Sequence, residues 1–226
     1  MTKPTTKFYS LFQHIFDFYN ATLFNGQLND CIIVISRKNN VFGHYAPKRW
    51  FSTQDHETDE LAINPSMICK HPLKELCQTI VHEMCHGWQF NFGKPSRRTY
   101  HNKEWADKME SVGLMPSNTG LPGGKRVGQK MADYSIEDGP FDRSTKELFN
   151  GNVFEGLFLE IYPDMVEEIN LDEDLFDQIK DMTLSYEGAG KPKKNSTIKY
   201  SCGCSNVWGK AGLEISCLKC NTKMKP

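Results

Sequence analysis

From Phe8 through Leu11, Phe12, Ile15, Phe16 and Tyr19 to Leu23, apolar residues recur at intervals of three and four, the period of a helix that buries one face. Thr5 or Thr6 is placed to cap it, and Asn25-Gly26 to end it. The pattern then changes. Cys31 to Ser36, Val41 to Ala46 and Glu60 to Asn64 are short, rich in β-branched or aromatic residues and separated by polar turns, which predicts a small, mostly antiparallel sheet. Pro72 stands where a helix N1 proline would, so a second helix is expected from there to about Phe92, where Gly93 and Pro95 stop it. A basic loop, Gly93 to Tyr100, leads to a third, from about His101 to Val112, closed by Gly113 and Pro116.

Beyond it the periodicity fades. Ser117 to Gly128 is glycine-rich and reads as a loop; its Gly124-Lys125 is no phosphate loop, because Arg126 stands where Ser or Thr should and no strand precedes it. Phe154 to Tyr162 looks like a strand, Leu171 to Ser185 like an acidic helix, and Lys191 to Asn195 like a linker to a terminal module. No internal repeat is present.

Of the 226 residues 38% are hydrophobic, enough for one ordinary core and a small appendage. The longest apolar run, Cys31 to Ile35, is far below the ~20 residues a membrane helix needs, and the N-terminal stretch does not read as a signal peptide. The expectation is a soluble, cytoplasmic protein, nucleoid-associated in a prokaryotic or viral setting, with no membrane partner. Net charge is only −1, but its distribution is uneven. Gly93 to Lys130 holds eight Lys/Arg against three acids, Glu160 to Glu187 ten acids against one Lys, and Lys191 to Pro226 eight Lys against one Glu. Two basic segments therefore flank an acidic one.

The second helix carries the chemistry. Val81-His-Glu-Met-Cys-His86 places two histidines four apart, about 400° of helical rotation, so both rings leave one face toward one ion. Glu83, beside the first, can reach a metal-bound water without binding the metal, as a general base must. A catalytic zinc wants a third protein ligand. Gln89 and Phe92 occupy the places where a metzincin has Gly and His. Glu104 and Glu110 are carboxylate candidates for that ligand; His101 is favoured over them on ligand preference, since the loop from Gly93 to Tyr100 can return it over the site. His44 and Tyr45, on a strand expected beside this helix, could orient substrate or stabilise an oxyanion, though a structural role fits them better. Cys85 reads as a small core residue, and Trp88 and Trp105 as packing residues.

Eight cysteines in a chain without a secretory signal point to metal ligation rather than disulfides. Cys202-Gly-Cys204 and, twelve residues on, Cys217-Leu-Lys-Cys220 pair closely spaced thiols in the manner of a structural zinc ribbon, although the first knuckle is C-x-C rather than C-x-x-C. So small a module has few apolar groups, and the metal would supply its folding energy. Lys199, Lys210, Lys219, Lys223 and Lys225 with Tyr200 and Trp208 offer cations and aromatic surface suited to nucleic acid, or simply a solvated lysine-rich surface.

His82-Glu-Met-Cys-His86 followed by His101-Asn-Lys-Glu-Trp105 resembles the H-E-x-x-H and H-G-x-E-[FW] pair of the SprT-like zinc metalloproteases, which include Spartan, with Asn102 where that family often has Gly. Tyr19 to Leu28 and Leu61-Ala-Ile-Asn-Pro65 are similar to the family's leading helix-and-turn and to the strand before its active-site helix, so the resemblance spans roughly residues 7 to 116. It implies an α+β, zincin-like metalloprotease domain over residues 1–116, an unassigned extension over 117–190, and a C-terminal zinc ribbon over 191–226. It further implies His82, His86 and His101 as ligands of a catalytic zinc, Glu83 as catalytic base, and Cys202, Cys204, Cys217 and Cys220 around a second, structural zinc. The implied partners are a protein substrate and DNA, single-stranded or damaged, since eukaryotic members cut proteins crosslinked to DNA. Two other readings stay open: a non-enzymatic, zinc-stabilised DNA-binding adaptor, and a peptidase independent of DNA.

Overall fold

A computed structural model of the chain describes residues 3–38, 41–54, 56–68, 71–97, 100–154, 156–160, 198–209 and 212–225. Two compact units divide it, Met1–Ala189 and Gly190–Pro226. The first is a mixed α+β unit.

Helix α1 spans Pro4–Leu23 and buries Phe12, Ile15, Phe16 and Tyr19 along one stripe. Its start differs from expectation. Pro4 occupies the first turn and no side chain caps the helix, because proline at N1 has no orphan N–H and its fixed φ already suits the turn. The stop is as the sequence suggested: Asn25 and Gly26 take φ of 55° and 68°, and the Gly26 N–H donates to the Asn20 carbonyl at 2.8 Å.

Strands β1 (Cys31–Ile35), β2 (Gly43–Phe51) and β3 (Glu57–Ile63) form one sheet in the order β1-β3-β2. The β2–β3 pair is antiparallel, but β1 runs parallel to β3, from Cys31 opposite Asp59 to Ile35 opposite Ile63. The sheet is thus mixed rather than mostly antiparallel. Strand β3 inserts between the two earlier strands, a crossover that side-chain alternation does not reveal. Strand β2 is also longer than expected, continuing past an irregularity between Ala46 and Trp50.

After a short helical turn α2 (Pro65–Ile68), helix α3 (Leu73–Phe92) begins at Pro72, which is its N-cap rather than its first residue. Leu73, Leu76, Cys77, Ile80, Val81, Met84 and Cys85 are buried in the core with the α1 stripe, which leaves the opposite face for polar groups. Helix α4 is Lys103–Ser111, and β4 (Leu114–Ser117) pairs antiparallel with β5 (Ala132–Ser135). Helix α5, Pro140–Asn150, was not anticipated. Its Phe141 stacks on Tyr19 at 5.8 Å, and Thr145 shares a 2.8 Å hydrogen bond with the Tyr19 hydroxyl. No break in packing falls at residue 116: Phe141, Leu148 and Phe154 join the same core as Phe12 and Ile80.

The expected strand from Phe154 does not form over its described residues, which are turn and irregular backbone; Phe154 instead closes on the core, its ring 4.9 Å from Phe149. Most of the acidic stretch, its expected helix at 171–185 and the linker at 191–195 lie outside the described residues. Among the described residues no helix is long and apolar enough to cross a membrane.

The second unit contains two small hairpins. Strands β6 (Ile198–Cys202) and β7 (Ser205–Gly209) pair through a two-residue turn, and β8 (Ser216–Cys217) pairs with β9 (Thr222–Lys223). Among its described residues Tyr200, Cys217 and Met224 are buried, a core too small to hold four strands by apolar burial alone.

Candidate metal centre

Helix α3 presents His82 and His86 from one face, their ring centroids 5.2 Å apart. His101 reaches them from the chain that returns after α3. It precedes α4 instead of opening it, because Asn102 is the N-cap and its side chain accepts from the Trp105 N–H at 3.1 Å. Backbone bonds in both directions between His101 and Gly128, 2.8 and 3.1 Å, fix its position. Its ring centroid lies 4.9 Å from that of His86 and 5.6 Å from that of His82, and one ring nitrogen from each histidine falls within 4.8 Å of the others. The fully buried Trp105 forms the floor, stacked on His86 at 5.3 Å and edge-on to His101 at 4.4 Å; its indole N–H finds no hydrogen-bond partner among the described residues.

Neither carboxylate alternative joins the three rings. Glu104 accepts from Gln89 and from the Lys94 N–H, both at 2.7 Å, and so ties the end of α3 to the returning loop. Glu110 pairs with Arg126.

Glu83 lies beside the cluster without being part of it, 8% exposed, and accepts a hydrogen bond from the backbone N–H of Tyr45. That contact requires β2 to run close against α3. Two glycines permit it: a Cβ on Gly43 would stand 2.9 Å from the Thr79 methyl carbon of α3, and one on Gly87 2.9 Å from the Tyr45 ring. Tyr45 is committed elsewhere, its hydroxyl donating to Asp59, while His44 lies 3.2 Å from Glu60. Cys85 is wholly buried, and burial pushes its thiol far above the ordinary range. The half-buried Trp88 has the Lys108 ammonium 5.1 Å from its ring centre.

Two bonds decide which nitrogens face inward. The His82 Nδ1 lies 3.0 Å from a carboxylate oxygen of Asp133, on β5, and the His101 Nδ1 3.2 Å from the Gly128 carbonyl. A carbonyl and a carboxylate only accept, so both Nδ1 atoms carry hydrogen and each Nε2 keeps its lone pair. Asp133 was not singled out in the sequence; 51 residues and a strand register separate it from His82, and no local pattern signals it.

In the metal-free chain burial disfavours the charged form of His82, but the bond to Asp133 and the charges of Glu83 and Asp133 outweigh it and raise its pKa. His86 is driven well below the usual imidazole range by burial and by its two histidine neighbours, and burial with His82 lowers His101 to about 4. Burial raises the Glu83 carboxyl, against the pull of His82 and the Tyr45 N–H.

The model of the SprT-like family matches residues 12–124, half of the chain, a segment that holds all three histidines and Glu83. The chain belongs to the SprT-like family. Neither the curated proteins nor the solved structures contain a match to it.

The other candidate group of this SprT-like chain is in its second unit, where the sulfurs of Cys202, Cys204, Cys217 and Cys220 all lie within 4.8 Å of one another. The C-x-C knuckle is the β6–β7 turn itself, which explains how one intervening residue suffices. The Ser205 hydroxyl, with the Cys204 backbone, lowers the Cys202 thiol to about 6, so a thiolate is available at neutral pH. Tyr200 is 2% exposed and its hydroxyl accepts from the Leu213 N–H at 3.0 Å, so it is the module's core and no stacking platform for bases. The side chains of Lys199, Trp208 and Lys210 lie outside the described residues. Lys219 and Lys225 are exposed, and Lys223 pairs with Glu214.

Proposed function

We propose that this chain is a zinc-dependent endopeptidase with a zincin-like catalytic domain and a C-terminal zinc ribbon over residues 191–226, acting on proteins bound or crosslinked to DNA. The observation that carries the reading is the juxtaposition of three converging imidazoles with a buried carboxylate that does not join them. A structural zinc site is normally closed by four protein ligands, whereas a catalytic one keeps a position open.

The donor set fits the ion. Tetrahedral zinc with imidazole nitrogens at ~2.0–2.1 Å holds them roughly 3.3 Å apart, well inside the observed limit, and the lone pairs of His82 and His101 are on Nε2. His82, His86 and His101 would hold it; when bound, it supplies Lewis acidity that lowers the pKa of water toward ~7 and polarises a peptide carbonyl. Glu83 takes the proton of the attacking water and delivers it to the leaving amine. Its raised pKa suits both halves of that task, since the carboxylate must hold the proton between them. The Tyr45 N–H fixes one side of the carboxylate while the helix fixes its root. Cys202, Cys204, Cys217 and Cys220 would hold a second, structural zinc.

The DNA part of the proposal rests on charge. The segments from Gly93 to Lys130 and from Lys191 to Pro226 are basic, and Lys94, Arg97, Lys219 and Lys225 are exposed. Glu83→Gln is expected to retain both zinc ions and lose roughly 10²–10⁴-fold in kcat/KM on a protein substrate offered with single-stranded DNA. Undiminished cleavage by that variant would exclude the mechanism. Cleavage that ignores both DNA and salt would leave a DNA-independent peptidase, and zinc binding without any cleavage by the unmodified chain would leave an adaptor.

A further inference from the structure

Past the matched segment, at residues 125–135, the chain comes back across α3 and meets two of the three histidines from behind. Gly128 gives its carbonyl to the Nδ1 of His101, and Asp133 a carboxylate oxygen to the Nδ1 of His82. Asp133 is held in turn: its second oxygen accepts from the Gln78 side chain at 3.1 Å. Gln78 and His82 are one helical turn apart on α3, so the two oxygens of one carboxylate bracket a single face of the helix. The Asp133 side chain is only 9% exposed and that of His82 13%, so water is a poor substitute for either partner. Register places Asp133 opposite Pro116, with β4 leading directly from α4 and hence from His101. The returning strand therefore ties the two sources of ligands together.

We propose that Asp133 is a positioning residue of the metal centre: it fixes the tautomer and orientation of His82 and raises that ring's basicity as a donor. Gln78 holds the carboxylate, and the Gly128 carbonyl does for His101 what Asp133 does for His82. The inference rests on the peptidase reading for the identity of the ion, but the assignment of Asp133 comes from geometry beyond the matched residues 12–124. Outer partners of this kind typically contribute 10–100-fold to metal affinity, because a ligating imidazole left without an acceptor on its other nitrogen is free to rotate or to change tautomer.

The test uses the full chain. Zinc affinity of the histidine site is measured by chelator competition, with cobalt(II) as a second probe; sulfur-to-metal charge-transfer bands mark the ribbon's thiolates and separate the two sites. Asp133→Asn is expected to weaken zinc at the histidines roughly 10–100-fold and to change the cobalt spectrum of that site, while the ribbon's affinity and helix content stay as they were. Nitrogen-15 spectra of the metal-free protein at alkaline pH, where the ring is neutral, should show His82 as a single Nδ1–H tautomer in the wild type and as a mixture in the variant. Gln78→Leu, which leaves His82 and Asp133 in place, should lose several-fold in affinity and serves if the first variant does not fold. Wild-type affinity in both variants overturns the proposal and leaves the peptidase reading intact. A wild-type chain that binds no zinc at the histidines overturns both.

Discussion

Each of the three histidines reaches the same centre in a different electrostatic condition, and the difference has a consequence in acid. The rings of His86 and His101 are neutral in the metal-free fold down to low pH, whereas an unfolded histidine protonates near ~6.5. For these two groups the unfolded chain binds more protons below that value, so the stability they contribute is complete above about pH 6.5 and is lost as pH falls toward 4. His82 works in the opposite sense, its pKa being raised, and offsets part of the loss. Denaturant unfolding of chelator-treated protein, followed by helical ellipticity, should show stability declining from pH 7 to pH 4.5. A flat profile would mean that the two rings are not buried as neutral groups. The same residues mark where sequence reasoning reached and where it ended. Four-residue spacing on a helix is a local fact, so His82, Glu83 and His86 were legible as a unit; His101 was reached through ligand chemistry, with Glu104 and Glu110 as competitors, and through the likeness of His101–Trp105 to a family motif. Asp133 was out of reach, because what brings it to His82 is strand pairing across a glycine-rich loop.

Among the elements, the decisive contact is strand β2 against helix α3. The Tyr45 N–H reaches Glu83 because Gly43 and Gly87 put no side chain between β2 and α3; a Cβ at Gly43 would meet the Thr79 methyl of α3 at 2.9 Å and, within the sheet, the Ala62 carbonyl of β3 at 2.8 Å, which has no rotamer to change. Gly43→Ala should therefore cost about 1–3 kcal/mol of stability and lower activity beyond what the lost stability explains, as seen in kcat at a temperature where the variant is fully folded. A neutral substitution would show that β2 can shift without consequence. Helices α1 and α3 were readable because each presents a long apolar stripe. Helix α5 was not, since its short run buries Phe141 and Leu148 together with the polar Asp142 and Thr145, though Gly139-Pro140 could have marked its start. The direction of β1 relative to β3 was equally hidden: alternation fixes which residues face the core, and it is silent on which neighbour a strand chooses.

On the scale of the whole molecule, the two units differ in what holds them. The first has a continuous core from Phe12 to Phe154, while the second buries Tyr200, Cys217 and Met224 around four clustered sulfurs. Removal of metal should thus melt the strands of residues 198–225 and leave the first unit folded, seen as loss of amide dispersion for the former alone. If the ribbon carries the DNA contact, chelation also abolishes the salt-sensitive part of DNA binding. The peptidase reading requires instead that the histidines hold the catalytic ion, which can be examined directly. Anomalous difference density collected across the zinc edge from crystals of the zinc-loaded chain should show one peak within ~2.0–2.1 Å of the Nε2 atoms of His82, His86 and His101, with solvent and no fourth side chain completing the site beside Glu83. A peak held by a fourth protein ligand, or no peak among the three rings when the cysteine site is full, would contradict the account.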